Sequence, residues 1–269
     1  MKQIQKLQLF WKLLGLAFRR QFSYRAANLA GLATNFFFGL LRASLMVALY
    51  ASRTEVAGIS LQDAITFTGL TQGVIAYLSL FSWWDVMQAV YSGDIASDLL
   101  KPVDYFTFWL AQDVGRAMAQ LLMRGVTIVL AYALFFPISL PRTLPQWLAL
   151  AVTMFLSLLV SFAWRFLLNL AAFWTPDARG IGRIGYSISW FLSGFLLPLR
   201  FFPDWFVRMC YWTPFPSMVN SIVEVYLGTI TGLELIEVWA LQALWIVLLF
   251  ALTQMVMRAG VRKLVIQGG

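Results

Sequence analysis

The sequence of 269 residues is poor in the side chains that most catalytic and metal sites use, with no histidine, one cysteine and only 12% charged residues. The absence of histidine excludes zinc sites built on imidazole and Ser-His-Asp catalysis. Cys210 alone can form neither an intrachain disulfide nor a cysteine cluster around a metal. None of the five lysines follows a glycine, so the Gly-Lys-Ser/Thr sequence of a phosphate-binding loop is missing. We therefore expect no catalytic residues, no metal and no cofactor on this chain.

What the sequence has in excess is apolar surface, since 61% of the residues are apolar and the mean hydropathy is +0.76. Soluble domains average about 45–50% apolar and about 25% charged residues. The 23 phenylalanines, 12 tryptophans and 9 tyrosines suit the interface between lipid and water. The composition predicts an all-α integral membrane protein, because a soluble chain of this length could not bury so much apolar surface.

Six stretches have the roughly 20 mostly apolar residues that a helix needs to cross a bilayer. Two longer connections, 85–116 and 200–234, separate some of them, and residues 1–26 precede the first. We expect a single transmembrane domain over residues 1–269 with six transmembrane helices. The predicted spans are 27–50, 62–84, 117–140, 146–174, 181–199 and 235–256.

Residues 1–26 carry apolar side chains at helical spacing, at Leu7, Trp11, Leu14 and Phe18, with lysine and arginine between them. This pattern predicts an amphipathic interface helix that lies along the membrane surface. Its cations would face the anionic headgroups of membrane lipids.

The distribution of lysine and arginine predicts the orientation, because cytoplasmic loops carry the excess of these residues. The N-terminal arm, the segments after the second and fourth spans and the C-terminal tail hold 13 of them, against four on the opposite side. Both termini are therefore expected in the cytoplasm, with the chain crossing the plasma (inner) membrane several times. Topology accounts for the net charge of +8, so no nucleic-acid partner is expected.

The connection 85–116, on the predicted cytoplasmic side, contains a turn at Ser92-Gly93-Asp94 and then a short amphipathic helix that stops at Pro102. Its five aspartates make it acidic on a side that is otherwise basic. Adhesion to lipid would favour the opposite charge, so this connection predicts a protein partner.

The connection 200–234, on the predicted outer side, is too apolar for a solvated loop. Pro203, Pro214 and Pro216 interrupt it too often for a full span. We expect re-entrant or interfacial helices before the last span, because broken backbone at membrane depth is tolerated only where protein shields it.

Three arginines, Arg42, Arg124 and Arg165, lie inside predicted spans. At the centre of an isolated helix each would cost roughly 2.5–3.5 kcal/mol. Two roles stay open, contact with an anionic substrate and structural pairing, of which pairing is favoured. Asn169 lies four residues after Arg165 on the same helix face, where it could help to satisfy the arginine.

The run SGDIASDLLKPVDYFTFW at residues 92–109 resembles the cytoplasmic coupling segment of permease subunits of type-2 ATP-binding-cassette (ABC) exporters. It is most similar to the branch in which a glycine, a short helix and Leu-Leu-Lys/Arg-Pro follow the second span. FFPDWF, TPF and VEVYLG in the outer connection, and the terminal QGG, resemble the same branch.

The resemblance implies a second permease, identical or sister, and a separate cytoplasmic ABC ATPase that holds ATP and Mg. Spans two and five would face the second permease. ATP-driven closure of the ATPase would move the coupling segment and rock the transmembrane halves. The implied coupling residues are Gly93, Asp94, Ile95, Asp98, Leu99, Leu100, Lys101 and Pro102. The outer gate candidates are Phe202, Pro203, Trp205, Pro214 and Phe215.

Two other classes remain as alternatives. A polytopic membrane enzyme acting on lipids would need polar catalytic groups at one depth, whereas the sequence scatters them. An ion-coupled secondary transporter would show paired broken spans in inverted repeats, whereas the break occurs here only once. The aromatic outer connection and the scarcity of acids within the spans favour an amphiphilic or anionic cargo over a cationic one.

Overall fold

The computed structural model describes residues 3–175 and 177–263, and within them it contains twelve α-helices and one short hairpin. The helices are α1 Gln3–Gln21, α2 Arg25–Leu49, α3 Leu61–Leu78, α4 Asp85–Tyr91, α5 Ile95–Leu99, α6 Tyr105–Gln120, α7 Thr127–Phe135, α8 Leu144–Asn169, α9 Arg179–Leu192, α10 Asp204–Tyr211, α11 Asn220–Leu227 and α12 Gly232–Val261. A π-helical turn, Leu121–Val126, joins α6 to α7. The hairpin pairs β1 Glu55–Val56 with β2 Ile59–Ser60. Lys2 and the terminal QGG lie outside the described residues.

Four helices of the described chain are long and apolar enough to cross a membrane. They are Arg25–Leu49, Tyr105–Phe135, Leu144–Phe173 and Gly232–Val261, in the places of the first, third, fourth and sixth predicted spans. The chain is therefore a mostly helical, multi-pass membrane protein.

The two remaining predicted spans correspond to shorter helices. In place of 62–84 the helix α3 has 18 residues, and in place of 181–199 the helix α9 has 14. Helix α3 is polar for a span because neighbouring helices surround it: residues such as Thr68, Thr71 and Gln72 are buried against protein rather than exposed to lipid.

The third spanning helix starts at Tyr105, twelve residues before the predicted boundary at 117. The Asp104 carboxylate ends the preceding connection, because its Oδ2 accepts hydrogen bonds from Thr107 N at 2.8 Å and Thr107 Oγ1 at 2.9 Å. This is an N-terminal helix cap, which satisfies a backbone donor of the first turn. The connection thus ends at Asp104, and residues 105–116 belong to the helix.

Helix α1 packs along α6. Leu14 and Ala17 are buried in this contact, which Gly115 permits because it has no side chain. Leu7 and Trp11, the first two residues of the predicted apolar stripe, remain exposed, whereas Phe18 is half-buried. The apolar stripe of α1 is therefore packed against protein toward its C-terminal end and free toward its N-terminal end.

Helix α8 lies at the centre of the described fold, where it packs against α3, α4, α11 and α12. Ser157 Oγ donates to Ser217 O at 2.9 Å, and Gln242 Nε2 donates to the same oxygen at 3.0 Å. These bonds satisfy backbone in the broken stretch before α11, as a buried irregular segment requires. The outer connection therefore holds two short helices, α10 and α11, of which α11 is buried against α8.

The crossing of α1 and α6 gives a direct test of the packing. An added Cβ at Gly115 would overlap Leu14 O and lie 2.9 Å from Ala17 Cβ, whereas a Cβ at Gly15 would meet nothing within 4 Å. We expect Gly115→Ala to destabilise the protein by about 1–3 kcal/mol through overpacking, measured as a lower Tm in detergent micelles.

Gly15→Ala is the matched control, since it changes the same residue type at the same crossing. Its Tm should stay equal or rise, because alanine favours helix over glycine by roughly 1 kcal/mol. Equal Tm values for the two variants would contradict the close crossing.

Candidate functional site

The segment between α4 and α6 begins with a tight turn. Gly93 has φ +78°, a left-handed conformation that favours glycine. Ser92 Oγ donates to Asp94 Oδ2 at 2.7 Å, and Ser97 Oγ donates to Asp94 O at 2.8 Å. These bonds set the direction in which α5 leaves the turn.

The segment has a buried beginning and an exposed end. Ile95, the first residue of α5, is 1% exposed and belongs to an aromatic cluster that includes Trp83, Phe106 and Phe166. Leu100, the residue directly after α5, is 86% exposed. Ile95 therefore anchors the segment while the chain beyond it projects outward.

Residues 99–102, Leu-Leu-Lys-Pro, form an exposed tip. Lys101 Nζ lies 2.5 Å from Asp98 Oδ1 and 5.0 Å from the centre of the Phe108 ring. These contacts hold the lysine beside two exposed leucines. The tip thus presents apolar surface next to a cation, the mixed character of many protein-docking surfaces. All eight predicted coupling residues lie within this one segment.

Asn169 attaches the segment to α8. Its Oδ1 accepts from Met87 N at 2.9 Å, which caps the first turn of α4, and its Nδ2 donates to Trp83 O at 2.8 Å. Tyr186 OH, from α9, donates to the same Trp83 oxygen at 2.8 Å. Asn169 was expected to help satisfy Arg165; its side chain reaches only the Arg165 backbone oxygen and chiefly fixes α4.

A buried ion triad joins α6 to α8. Arg165 Nη1 and Nη2 donate to Asp113 Oδ1 and Oδ2 at 3.0 and 2.7 Å, a bidentate pair. Arg116 Nε donates to Asp113 Oδ1 at 3.0 Å. The Asp113 side chain is 0% exposed, so both arginines bind it away from water.

Arg116 extends the triad to α3. Its Nη1 donates to Ala76 O at 2.6 Å and its Nη2 to Tyr77 O at 3.0 Å. Ser161 Oγ, one turn before Arg165, donates to Leu78 O at 2.9 Å. The last carbonyls of α3, which have no partner within their own helix, are thus satisfied, and a cation at this end also suits the helix dipole.

The three arginines singled out in the sequence differ in their surroundings. Arg165 has a carboxylate, which makes its role structural pairing. Arg42 donates to Thr71 Oγ1 at 2.9 Å and to Phe195 O at 2.6 Å, which ties α2 to α3 and to the turn after α9. Arg124, in the π-helical turn, has a buried Nε with no hydrogen-bond partner among the described residues.

The five outer gate candidates do not form one cluster. Pro214 and Phe215 are buried, and the Phe215 ring packs edge-on against Trp164 with 5.1 Å between the ring centres. Phe202, Pro203 and Trp205 lie at or near the surface. The buried pair holds the segment to the core, and the other three face outward.

A further ion pair in the outer connection joins Arg200 to the buried Glu224, with 2.7 Å between Nη2 and Oε2. The hydrogen bonds that Arg200 donates to the Glu224 carboxylate raise the pKa of Arg200 above its ordinary value. This pair fastens the start of the outer connection to α11.

Sequence reasoning missed Asp113 and placed Arg116 among the loop charges. Asp113 and Arg165 lie 52 positions apart, so no local pattern reveals their contact. The only available signal was the three-residue spacing of Asp113 and Arg116, which allows a pair on one helix. Within the described residues no group of three or more Cys, Asp and Glu side chains is arranged to hold a metal ion.

The triad predicts that replacing Asp113 destabilises the protein far more than replacing an exposed acidic residue. Asp113→Asn leaves two arginines without their carboxylate, and breaking a buried pair in this way costs about 3–5 kcal/mol. We expect a strong drop in Tm in detergent micelles. Glu237→Gln is the control, because Glu237 is exposed. Its free energy of unfolding should stay within about 0.5 kcal/mol of the wild type, with a correspondingly small change in Tm.

Comparison with known proteins agrees with this architecture. A family model described as ABC-2 family transporter protein matches residues 36–268. No curated protein and no solved structure matches the chain. The match covers nearly all of the spanning helices, the segment between α4 and α6 and the connection 200–234, and the chain therefore belongs to the ABC-2 family of transporter proteins, as a membrane component of an ABC transporter.

Proposed function

We propose that the chain is the permease subunit of an ABC exporter. It forms half of a translocation pathway, pairs with a second permease, identical or sister, and docks on a separate cytoplasmic ABC ATPase that binds ATP and Mg. Family membership supports an ABC ATPase partner in general. The direction of transport and the pairing are inferred from the resemblance to permease subunits of ABC exporters, and the docking site from that resemblance together with the exposed residues of the segment.

The observation that carries the proposal is the contrast between the exposed tip and its firmly held root. Leu100 is 86% exposed, whereas Ile95, five residues earlier, is 1% exposed. A solvated loop has no need of such an anchor. A segment that receives a push from another protein needs one, because coupling requires elements that move as a unit.

Two routes lead from the segment into the membrane helices. Through Asn169 the start of α4 is bonded to α8. Through the Asp104 cap the end of the segment runs directly into α6, which the triad at Asp113 connects to α3 and α8. Movement of the tip would therefore shift α3, α6 and α8 together, which supports alternating access driven by an ATPase.

Helix α9 supplies the face for the second permease. Ile181, Ile184, Ile188 and Phe191 recur three and four residues apart along it and are all at least 45% exposed. This apolar stripe has the spacing of a helix-packing surface. The resemblance implied that α3 would face the partner as well, but α3 is buried on nearly all sides within its own chain.

In this proposal α3 and α9 complete a set of six transmembrane helices. Both termini lie on the cytoplasmic side of the plasma (inner) membrane, where α1 is the interface helix. Its exposed Leu7 and Trp11 would rest in lipid. The outward residues Phe202, Pro203 and Trp205 would close the pathway on the other side.

The docking site predicts which substitution separates the two proteins. In Leu100→Glu a charge replaces an exposed apolar side chain, so folding should be unaffected and ATPase binding weakened. We expect co-purified ATPase activity from native membranes to fall at least about tenfold, the loss typical of a contact worth 1.4 kcal/mol or more.

Leu233→Glu is the matched control, because Leu233 is 78% exposed at the start of α12, far along the chain from the tip. The ATPase activity that co-purifies with Leu233→Glu should equal that of the wild type. Absence of an ATPase from wild-type preparations, or equal retention by both variants, would contradict the proposed docking and favour one of the two alternative classes.

The turn at Gly93 gives a second, separate test. Gly93→Pro is incompatible with φ +78°, since proline requires φ near −65°. We expect normal membrane insertion and ATP hydrolysis that no longer drives transport in reconstituted vesicles.

Gly58→Pro is its control, because Gly58 also has a positive φ, +76°, but lies in the hairpin between α2 and α3. In the Gly58→Pro protein, ATP hydrolysis should still drive transport in reconstituted vesicles. If ATP hydrolysis still drives transport in the Gly93→Pro protein, the proposed role of this segment in coupling is wrong.

A further inference from the structure

A cavity of about 430 Å³ lies between α2, the end of α3 and α6. Arg116, Gln120 and Arg124 line it from one side, four residues apart along α6 and the π-helical turn. Gly31 and Asn35 of α2 line the opposite side. No carboxylate of the described chain lines this cavity.

The charges around the cavity do not balance. Asp113 is shared by Arg116 and Arg165, and Asp85 lies close enough to Arg116 to interact with its charge. Arg124 has no carboxylate partner among the described residues and is the unpaired cation of this cavity. Arg124 is half-buried, and a cation that is partly removed from water without a counterion favours an anion within the cavity.

Arg124 has free hydrogen-bonding capacity. Its buried Nε has no acceptor among the described residues, whereas Arg42 and Arg165 both have several. The guanidinium lies against α2 at Gly31, where an added Cβ would be 2.7 Å from Cζ. The π-helical turn that carries Arg124 is a rare feature found often at functional sites.

Gln120 offers a second unused group. Its Nε2 donates to Gln21 Oε1 and Asn28 Oδ1, both at 3.0 Å, but its buried Oε1 has no donor. A ligand hydroxyl could supply that donor. The cavity thus has a guanidinium that lacks an anion and an amide oxygen that lacks a hydroxyl.

An apolar groove of about 300 Å³ lies next to these groups. Leu29, Leu32 and Met123 line it, and Asn28 borders both the groove and a larger polar cavity that Arg124 also lines. The larger cavity is also lined by four carboxylates, Asp85, Asp94, Asp98 and Asp113. Only the smaller cavity, which no described carboxylate lines, suits an anionic head, and the groove suits its hydrocarbon tail.

We propose that this site binds an anionic amphiphile, with a phosphate headgroup on Arg124 and its hydrocarbon chain in the groove. Arg116 contributes positive potential, and Gln120 Oε1 accepts a bond from a headgroup hydroxyl. The inference rests on the proposed transport function and names its substrate class. The larger cavity also reaches Asp94 and Asp98, so bound headgroup and coupling segment border the same space.

The test uses the purified chain alone, in neutral-detergent micelles, and isothermal titration with dihexanoyl phosphatidic acid, dihexanoyl phosphatidylcholine and inorganic phosphate. Phosphatidic acid should bind the wild type at least about tenfold more tightly than the other two probes. Arg124→Gln should weaken that binding by at least about tenfold, the value expected for hydrogen bonds to a charged group. Arg53→Gln, at an exposed arginine, should leave it unchanged.

Gly31→Ala keeps every charge and provides a second variant should Arg124→Gln fail to fold. Its Cβ would displace the guanidinium, so it too should weaken phosphatidic acid binding. Equal binding of the lipids, equal binding by wild type and both variants, or phosphate binding as tight as that of phosphatidic acid would overturn the proposal. Because no ATPase is present, these outcomes are independent of the docking experiment on Leu100.

Discussion

The arrangement of helices depends on one carboxylate, that of Asp113, which lies between two arginines without access to water. Burying a single unpaired charge here would cost several kcal/mol of stability. A buried ion pair is tolerated only when its geometry is good and the remaining N–H groups of the arginines also have acceptors. The structure meets that condition, because Arg165 also donates to Ser161 O and Arg116 to the carbonyls at the end of α3. Since hydrogen bonds are directional whereas apolar contacts are not, the triad defines how far α3, α6 and α8 slide past one another.

The rest of the site divides into a rigid part and an open part around this anchor. Toward the exposed tip, hydrogen bonds and the aromatic cluster around Ile95 connect the coupling segment to the helices. Toward Arg124, the same helix α6 leads into a cavity in which polar groups lack partners. The proposed mechanism needs both properties, a stiff segment where an ATPase would push and unsatisfied polar groups where cargo would bind. Because α6 leads from one to the other, its length sets the distance between the two proposed sites.

The sequence predicted the class of protein and four of its spans well, because hydropathy reports directly on contact with lipid. It was less informative for α3, which is surrounded by protein and therefore polar, and for the start of α6, which depends on the cap at Asp104. The coupling role of residues 92–109 was predicted only from their resemblance to a branch of permeases and stays a prediction; family membership itself is confirmed over residues 36–268. The pairing of Asp113 with Arg165 was invisible, since it joins residues on different helices and no local spacing encodes it.

The irregular stretch between α3 and α4 has a consequence for biosynthesis. The backbone oxygens of Leu78, where this stretch begins at the end of α3, and of Trp83 accept hydrogen bonds from the side chains of Ser161 and Tyr186. These two residues follow them in the sequence by 83 and 103 positions. At about 5–20 residues per second, a ribosome reaches those partners roughly 5–20 s later. Until then the new chain holds bare carbonyls in or near lipid, and water or the insertion machinery must cover them. The stretch before α4 thus acquires its final hydrogen bonds only after α8 and α9 have been made, although it is itself made in the first half of translation.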